Sequence, residues 1–198
     1  MLKELVEKSR SYRGFDQGFT PSRQQLEELC ELARLCPSSV NMQPLRYVLV
    51  NTPEGCAIVQ PLTGWARRLK GVRLPREGHC PTAFIIICQD LGISPNRERF
   101  LKDVGIVAQT MLLGAAEMGF GGIMIGNFQP ERVAQALGLG ENLWPQLILA
   151  LGLPDEKVVL TEAEDGNVAY TRDAGNVTYV PKRRLEDVVI SWEGTGHE

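Results

Sequence analysis

The sequence predicts a single domain that mixes helices and strands, and three stretches carry that prediction. Leu26, Leu29, Cys30 and Ala33 recur at helical spacing, so they form one apolar helix face. Ala83 to Cys88 shows no polar alternation, which marks a strand buried on both faces. Asp103 to Met118 is apolar nearly all round, through Val104, Ile106, Val107, Met111, Leu112 and Leu113. Such a helix must be covered on every side, at the centre of a domain or between subunits.

In chain order, Leu2, Leu5 and Val6 give a short amphipathic helix ending near Ser9. It runs into Arg10-Ser11-Tyr12-Arg13, two cations flanking a hydroxyl. Alone this is a solvated surface; with further cations it becomes a phosphate site, because phosphate is held by several donors at once. Thr20 as N-cap and Pro21 at the first helical position start the second helix, which stops before Pro37. The loop Cys36-Pro37-Ser38-Ser39-Val40-Asn41-Met42-Gln43-Pro44 follows. Proline fixes its own φ and pushes the residue before it toward extended geometry, so the hydroxyls and amides here are held in a restricted arrangement. Read alone, the loop is equally a grip for a planar polar ligand or a surface connection that satisfies its own backbone.

Arg46 to Val50 is a β-branched and aromatic strand. From Thr52 to Gly78 only Trp65 to Leu69 suggests a helical piece, and the glycines and prolines between Gly55 and Gly78 predict little order. Gly119 caps the central helix, Gly121 to Ile125 reads as a buried strand, and Gly126-Asn127 can turn amide N–H groups toward a ligand. The same glycines also suit a plain C-cap and tight turn. The spacing matches neither G-x-G-x-x-G nor a phosphate-binding P-loop. Pro130 to Leu137 is a short helix and Gln146 to Leu151 a core strand ending at Gly152-Leu153-Pro154. The tail has turns at Asp165-Gly166 and Gly175-Asn176, a strand at Val177 to Val180, and a second basic cluster, Lys182-Arg183-Arg184, on its own a solvated face.

Composition narrows the function. With 198 residues, 43% of them hydrophobic, the chain can bury a sizeable core. A net charge of −3 and a pI near 5.6 argue against nucleic-acid or anionic-membrane partners. Charges throughout the first ten residues exclude a secretory leader, and the longest aliphatic runs are too short for a bilayer, so a cytoplasmic protein is expected. Five cysteines without a C-x-x-C pair, and two distant histidines, argue against a disulfide scaffold or a His/Cys metal site. The thiols are expected to be reduced packing residues. No Ser/His/Asp or Cys/His constellation stands out.

In combination these stretches resemble the FMN-dependent nitroreductase family over nearly the full length. Arg10-Ser11-Tyr12-Arg13-Gly14-Phe15 is similar to its N-terminal Arg-Ser-x-Arg-x-Phe motif, and Pro37 to Pro44 to its Pro-Ser-x-x-Asn-x-Gln-Pro loop. Asp103 to Gln109 resembles the start of its central helix, Gly119 to Phe128 the strand and turn beside the flavin, and Val180-Pro181-Lys182-Arg183 its C-terminal basic motif.

The resemblance implies an α+β, three-layer fold: a central mixed or antiparallel sheet surrounded by helices, in an intertwined homodimer with FMN at the interface. It implies one FMN-binding domain over residues 1–198, with a variable substrate-side segment at 52–78 and a C-terminal extension at 155–198. By similarity Arg10, Ser11 and Arg13 hold the ribityl phosphate and pyrimidine edge, and Lys182 and Arg184 neutralise the phosphate. Pro37, Ser38, Ser39 and Asn41 approach the ring from the other subunit. Met124 and Ile125 lie against its face, and a backbone N–H of Gly126 or Asn127 donates to N5. Ser9 stands where many members carry a further Arg, a charge that Arg183 or Lys8 could replace. Arg13 either stabilises the reduced ring near N1 or binds phosphate only. The implied activity is ping-pong: NAD(P)H reduces FMN, then a nitroaromatic, quinone or similar small acceptor is reduced, with no catalytic side chain required. Two alternatives stay open: the same fold running flavin fragmentation, reductive dehalogenation or heterocycle dehydrogenation, and a non-catalytic flavin-binding protein.

Overall fold

A computed structural model describes residues 1–65 and 72–192, and the chain divides into two compact units, Met1–Asp155 and Glu156–Glu198. In the first, strands β1 (Phe15–Asp16), β2 (Leu45–Val50), β3 (Ala83–Asp90), β4 (Gly121–Ile125) and β5 (Leu143–Pro154) form one sheet. Its order is β1-β5-β3-β2, with β4 also paired to β5, and each of these pairings is antiparallel. The antiparallel alternative therefore holds here, apart from an isolated parallel bridge between Ser11 and Gly122. The middle strand β3 is the one the sequence marks as buried on both faces, and Ala83 to Cys88 have no exposed surface.

Period-two alternation sends the side chains of these strands into two cores. Ile85, Ile87, Leu149 and Leu151 meet Leu26 and Leu29 of α2 (Arg23–Arg34) and Val107 and Met111 of α4 (Leu101–Glu117). Phe84, Ile86, Ile148 and Ala150 meet Val59 of α3 (Pro53–Val59) and Val133 of α5 (Pro130–Ala136) on the other side. Helices on both faces of one sheet make the three layers that the resemblance implies. Burying each such Ile or Leu stabilises the fold by roughly 1.5–3 kcal/mol. The helices α2 and α4 approach closely because Gly114 lacks a side chain: a Cβ there would lie 2.5 Å from Leu32 Cδ1.

Several boundaries differ from expectation. The N-cap of α2 is Ser22, not Thr20, and Pro21 precedes the helix. Ser22 Oγ accepts from Gln25 N–H at 3.1 Å while the Gln25 side chain accepts from Ser22 N–H at 2.9 Å. This reciprocal capping box satisfies more orphan donors than a threonine cap could alone. The stretch expected to have little order contains α3, capped by Thr52 with Pro53 in its first turn, and a 3-10 turn at Gln60–Leu62. The helical piece expected at Trp65 to Leu69 falls, beyond Trp65, outside the described residues. The helix α1 (Leu2–Lys8) buries nothing, with Leu2 66% and Val6 43% exposed.

The second unit is a three-stranded sheet in which β8 (Val177–Lys182) pairs parallel with β6 (Lys157–Glu162) and antiparallel with β7 (Thr171–Arg172). Turns fall where Asp165, Gly166 and Asn176 take positive φ. Inside it Arg172 pairs with Glu156, the two side chains only 4% and 0% exposed, and donates to Thr178 Oγ1 at 3.2 Å. Among the described residues no helix is long and apolar enough to cross a membrane, and no cluster of His, Cys, Asp or Glu could hold a metal ion.

Candidate functional site

The polar loop is tied to the first turn of α4. Asp103, 4% exposed, accepts from Ser38 Oγ–H at 2.7 Å and from Ser39 N–H at 3.0 Å. Ser38 Oγ in turn accepts from Gln43 N–H at 3.0 Å. Inside this closure Val40, Asn41 and Gln43 all take positive φ, at 48°, 54° and 49°. Gln43 precedes Pro44, so the extended geometry expected before that proline is overridden by the hydrogen bonds. Left-handed backbone costs a non-glycine residue roughly 1–2 kcal/mol, and a β-branched one has no local compensation. Val40 is nevertheless 73% exposed. Pro37, Ser39 and Asn41 also face outward, whereas Ser38 turns inward. Beside the loop lies a cavity of about 390 Å³ lined by Ser38, Gln43, Arg46, Tyr47 and Asp103 among others. Burial, then the neighbouring Cys30 and Cys36, push the Tyr47 phenol up to about 12.

The N-terminal cations sit elsewhere in the same unit. Ser11 bridges Gly122, and Tyr12 N–H donates to Gly122 O at 3.2 Å, which sets Arg10 to Arg13 beside the start of β4. Glycine is required at that contact: a Cβ on Gly121 would lie 2.9 Å from the Tyr12 ring, and one on Gly122 only 2.4 Å from Ala150 O. Arg10 donates to Val6 O, while its buried Nε–H has no hydrogen-bond partner. Arg13 donates to Ser11 O at 3.0 Å. The chain beyond it is pinned by Asp155 N–H to Gly14 O at 3.2 Å, by Phe15 N–H to His79 O at 3.1 Å, and by a hydrogen bond between the His79 ring Nδ1 and the Asp155 carboxylate.

The glycine-rich turn forms as expected. Gly119 has φ +87° and ends α4 in a Schellman arrangement, with Phe120 N–H on Ala115 O at 3.0 Å and Gly119 N–H on Ala116 O at 3.4 Å. Along β4, Met124 is half-buried on the α2/α4 side. Ile125 faces the other way, 3% exposed in the second core, so a ligand on the Met124 side meets it only through its backbone. Gly126 is exposed, with open space where a side chain would stand. The turn is locked by Gly64, whose N–H donates to Asn127 O at 2.8 Å. A Cβ on Gly64 would lie 1.7 Å from Asn127 Nδ2.

The structure thus gathers Arg10, Ser11 and Arg13 around the start of β4, and Pro37, Ser38, Ser39 and Asn41 around Asp103. The two groups are spread along one helix: a Cβ on Gly122 would lie 3.1 Å from Leu112 Cδ2, and Leu112 is nine residues from Asp103, about 14 Å along the axis. In the second unit Lys182 is exposed and makes no ion pair among the described residues. Arg184 is engaged by Glu162 at 2.7 Å and Glu186 at 3.7 Å. Sequence reasoning named Asp103 only as the start of a helix; the signal for more was an acid in the first turn of a nearly all-apolar helix. The Gly64 contact left no signal short of the fold.

The profile of the nitroreductase family matches residues 6–62 and 69–153, most of the chain. The chain belongs to the nitroreductase family. Among its relatives, YdgI of Bacillus subtilis, provisionally named an NAD(P)H nitroreductase, is 26% identical over 183 residues, covering 75% of this chain and 86% of that protein. A nitroreductase family protein of Clostridium difficile, solved by crystallography, superposes with a TM-score of 0.61 at 25% identity over 79% of this chain and 85% of its own. A provisionally named nitroreductase of Exiguobacterium sibiricum, solved in complex with FMN, gives 0.68 at 21% identity over 98% and 97%. These likenesses establish the nitroreductase fold. The profile ends at residue 153, so the tail cations rest on the motif resemblance alone.

Proposed function

We propose that this nitroreductase-family chain is an FMN-dependent oxidoreductase that works as a homodimer and passes electrons from NAD(P)H to small acceptors such as nitroaromatics and quinones. The observation that carries the reading is the outward-facing loop, held in left-handed backbone by a buried acid, which presents Ser39 and Asn41 to a ligand. The FMN found in the Exiguobacterium protein and the NAD(P)H in the name of the Bacillus protein favour the same reading. The exposed Leu2, Val6, Leu101 and Ile106 favour a second copy covering α1 and α4.

The residues present fit the group. The partnerless buried N–H of Arg10, with Ser11 and Arg13 beside it, suits an anionic phosphate and a polar ring edge. Ser39 and Asn41 orient the ring, and Met124 covers its face and keeps water out. The open space at Gly126 gives a ring nitrogen room to approach the backbone N–H there or at Asn127. Of the two tail candidates for phosphate Lys182 is the one with no ion pair among the described residues, since Arg184 is taken by Glu162. The bound flavin supplies the hydride chemistry.

Anaerobic titration of the purified protein with NADH and with NADPH, followed by nitro, quinone and oxygen acceptors, tests the proposal. Bleaching of a yellow dimer by one nicotinamide and its recovery with an acceptor are expected. A colourless monomer that ignores added FMN would overturn it. Combining Arg10→Ala with Lys182→Ala is expected to lower flavin occupancy and, by mass action, stability of the assembly; full occupancy in that variant would remove both from the phosphate site.

A further inference from the structure

Three hydrogen bonds close residues 38–43 into a ring: Ser38 Oγ–H and Ser39 N–H to Asp103 Oδ2, and Gln43 N–H to Ser38 Oγ. Backbone bonds from Asn41 N–H to Ser38 O at 2.9 Å and from Met42 N–H to Ser39 O at 3.1 Å make a 3-10 turn within it, and the three side-chain bonds anchor that turn to α4. Val40 is exposed and gains nothing from burial, yet it is left-handed together with Asn41 and Gln43. The Gln43 side chain only reinforces the turn, donating to Asn41 Oδ1 at 3.0 Å. Closure also settles which serine can serve a ligand. The Ser38 hydroxyl hydrogen is spent on Asp103, whereas the Ser39 side chain carries no such bond.

We infer that Asp103 is the positioning residue of this loop: it selects the left-handed form in which Ser39 and Asn41 reach the ligand, and Ser38 transmits the restraint instead of touching the ligand. The identity of that ligand as FMN rests on the function proposed above; the clamp itself does not.

The experiment compares the wild-type protein with Asp103→Ala, Asp103→Asn, Ser38→Ala and the Asp103→Ala/Ser38→Ala double variant. Amide hydrogen exchange is read without flavin, alongside the Kd for FMN from fluorescence quenching. In Asp103→Ala, exchange at Ser39 to Gln43 is expected to rise about tenfold while β3 and β5 stay protected, and FMN affinity to fall about tenfold, the scale of losing a hydrogen bond to a charged group. Asp103→Asn keeps an acceptor oxygen and is expected to recover most of both losses. The double variant is expected to be no worse than Asp103→Ala. Should Asp103→Ala fail to fold, Asp103→Asn and Ser38→Ala decide, the first expected near wild type and the second with faster exchange at Gln43. Unchanged exchange at residues 39–43, exchange raised uniformly through the fold, or a loosened loop with unchanged FMN affinity would each overturn the inference. If the wild-type protein does not take up FMN, the functional proposal fails by itself and the exchange data still judge the clamp.

Discussion

The loop at residues 37–44 and the strand and turn at 119–127 are both candidate ligand surfaces, yet they are shaped by opposite means. The loop is polar and strained, and three hydrogen bonds to and from two side chains hold it. The strand β4 is unstrained, and its shape follows from what is missing: glycines let Tyr12 and β5 come closer than any side chain would allow. The first kind of surface is tunable by small polar changes, whereas the second tolerates almost none.

The largest effect is expected on the glycine side. In Gly122→Ala the new methyl would meet Ala150 O, a backbone atom that cannot move without breaking the β4–β5 pairing. A loss of about 3 kcal/mol is expected in urea unfolding; a variant within error of wild type would show that β4 has slack. Val40→Gly breaks the comparison from the other side. Relief of left-handed strain, roughly 1–2 kcal/mol, is offset by the roughly 0.5–1 kcal/mol entropic cost of glycine. Stability is therefore expected within about 1 kcal/mol of wild type, while FMN binding weakens because the loop is freer.

Alkaline pH is expected to reach the loop side through Tyr47. Its phenol has an ordinary value of 10.0 and is raised to about 12, so its neutral form is favoured in the fold. That contribution is complete below about pH 10 and is lost as pH climbs through about 12. Half-buried Cys30 and Cys56, raised to about 11, and buried Cys88, raised to about 12, add losses of the same sign from about pH 9. The urea midpoint of Tyr47→Phe should accordingly fall less than that of wild type between neutral and strongly alkaline pH; equal falls would take Tyr47 out of the account. Cys36→Ser is the smallest change. Its thiol lies 3.5 Å from Leu32 O and 3.3 Å from Thr110 Oγ1 and can donate its one hydrogen to either, as a hydroxyl can. Activity should persist with stability within about 1 kcal/mol; total loss with flavin still bound would expose a redox thiol.

What could be read from the sequence follows the same division. Apolar periodicity located α2, α4, β3 and β5 because burial leaves a repeating mark, and Gly119 announced its own left-handed turn. Ser22-x-x-Gln25 was visible as a capping box but lost to the Thr20-Pro21 pair next to it. The run Lys157-Val158-Val159-Leu160-Thr161 carried a strand signal for β6 that went unread. The Asp103 clamp joins residues 64 and 65 positions apart, and the inward turn of Ser38 depends on it, so no local pattern could reveal either. The resemblance puts Ile125 beside Met124 on the ligand's face, whereas strand alternation sends its side chain to the opposite core.

The junction of Gly64 with Asn127 matters for anyone who wants to change what this protein accepts. Because these backbones are fastened to each other, libraries built only on the stretch leading out of α3 will also nudge the amide at Gly126. Position 64 itself should be left untouched, and its neighbours Thr63 and Trp65 offer a lever on the β4 turn that leaves Gly126 and Asn127 unmutated.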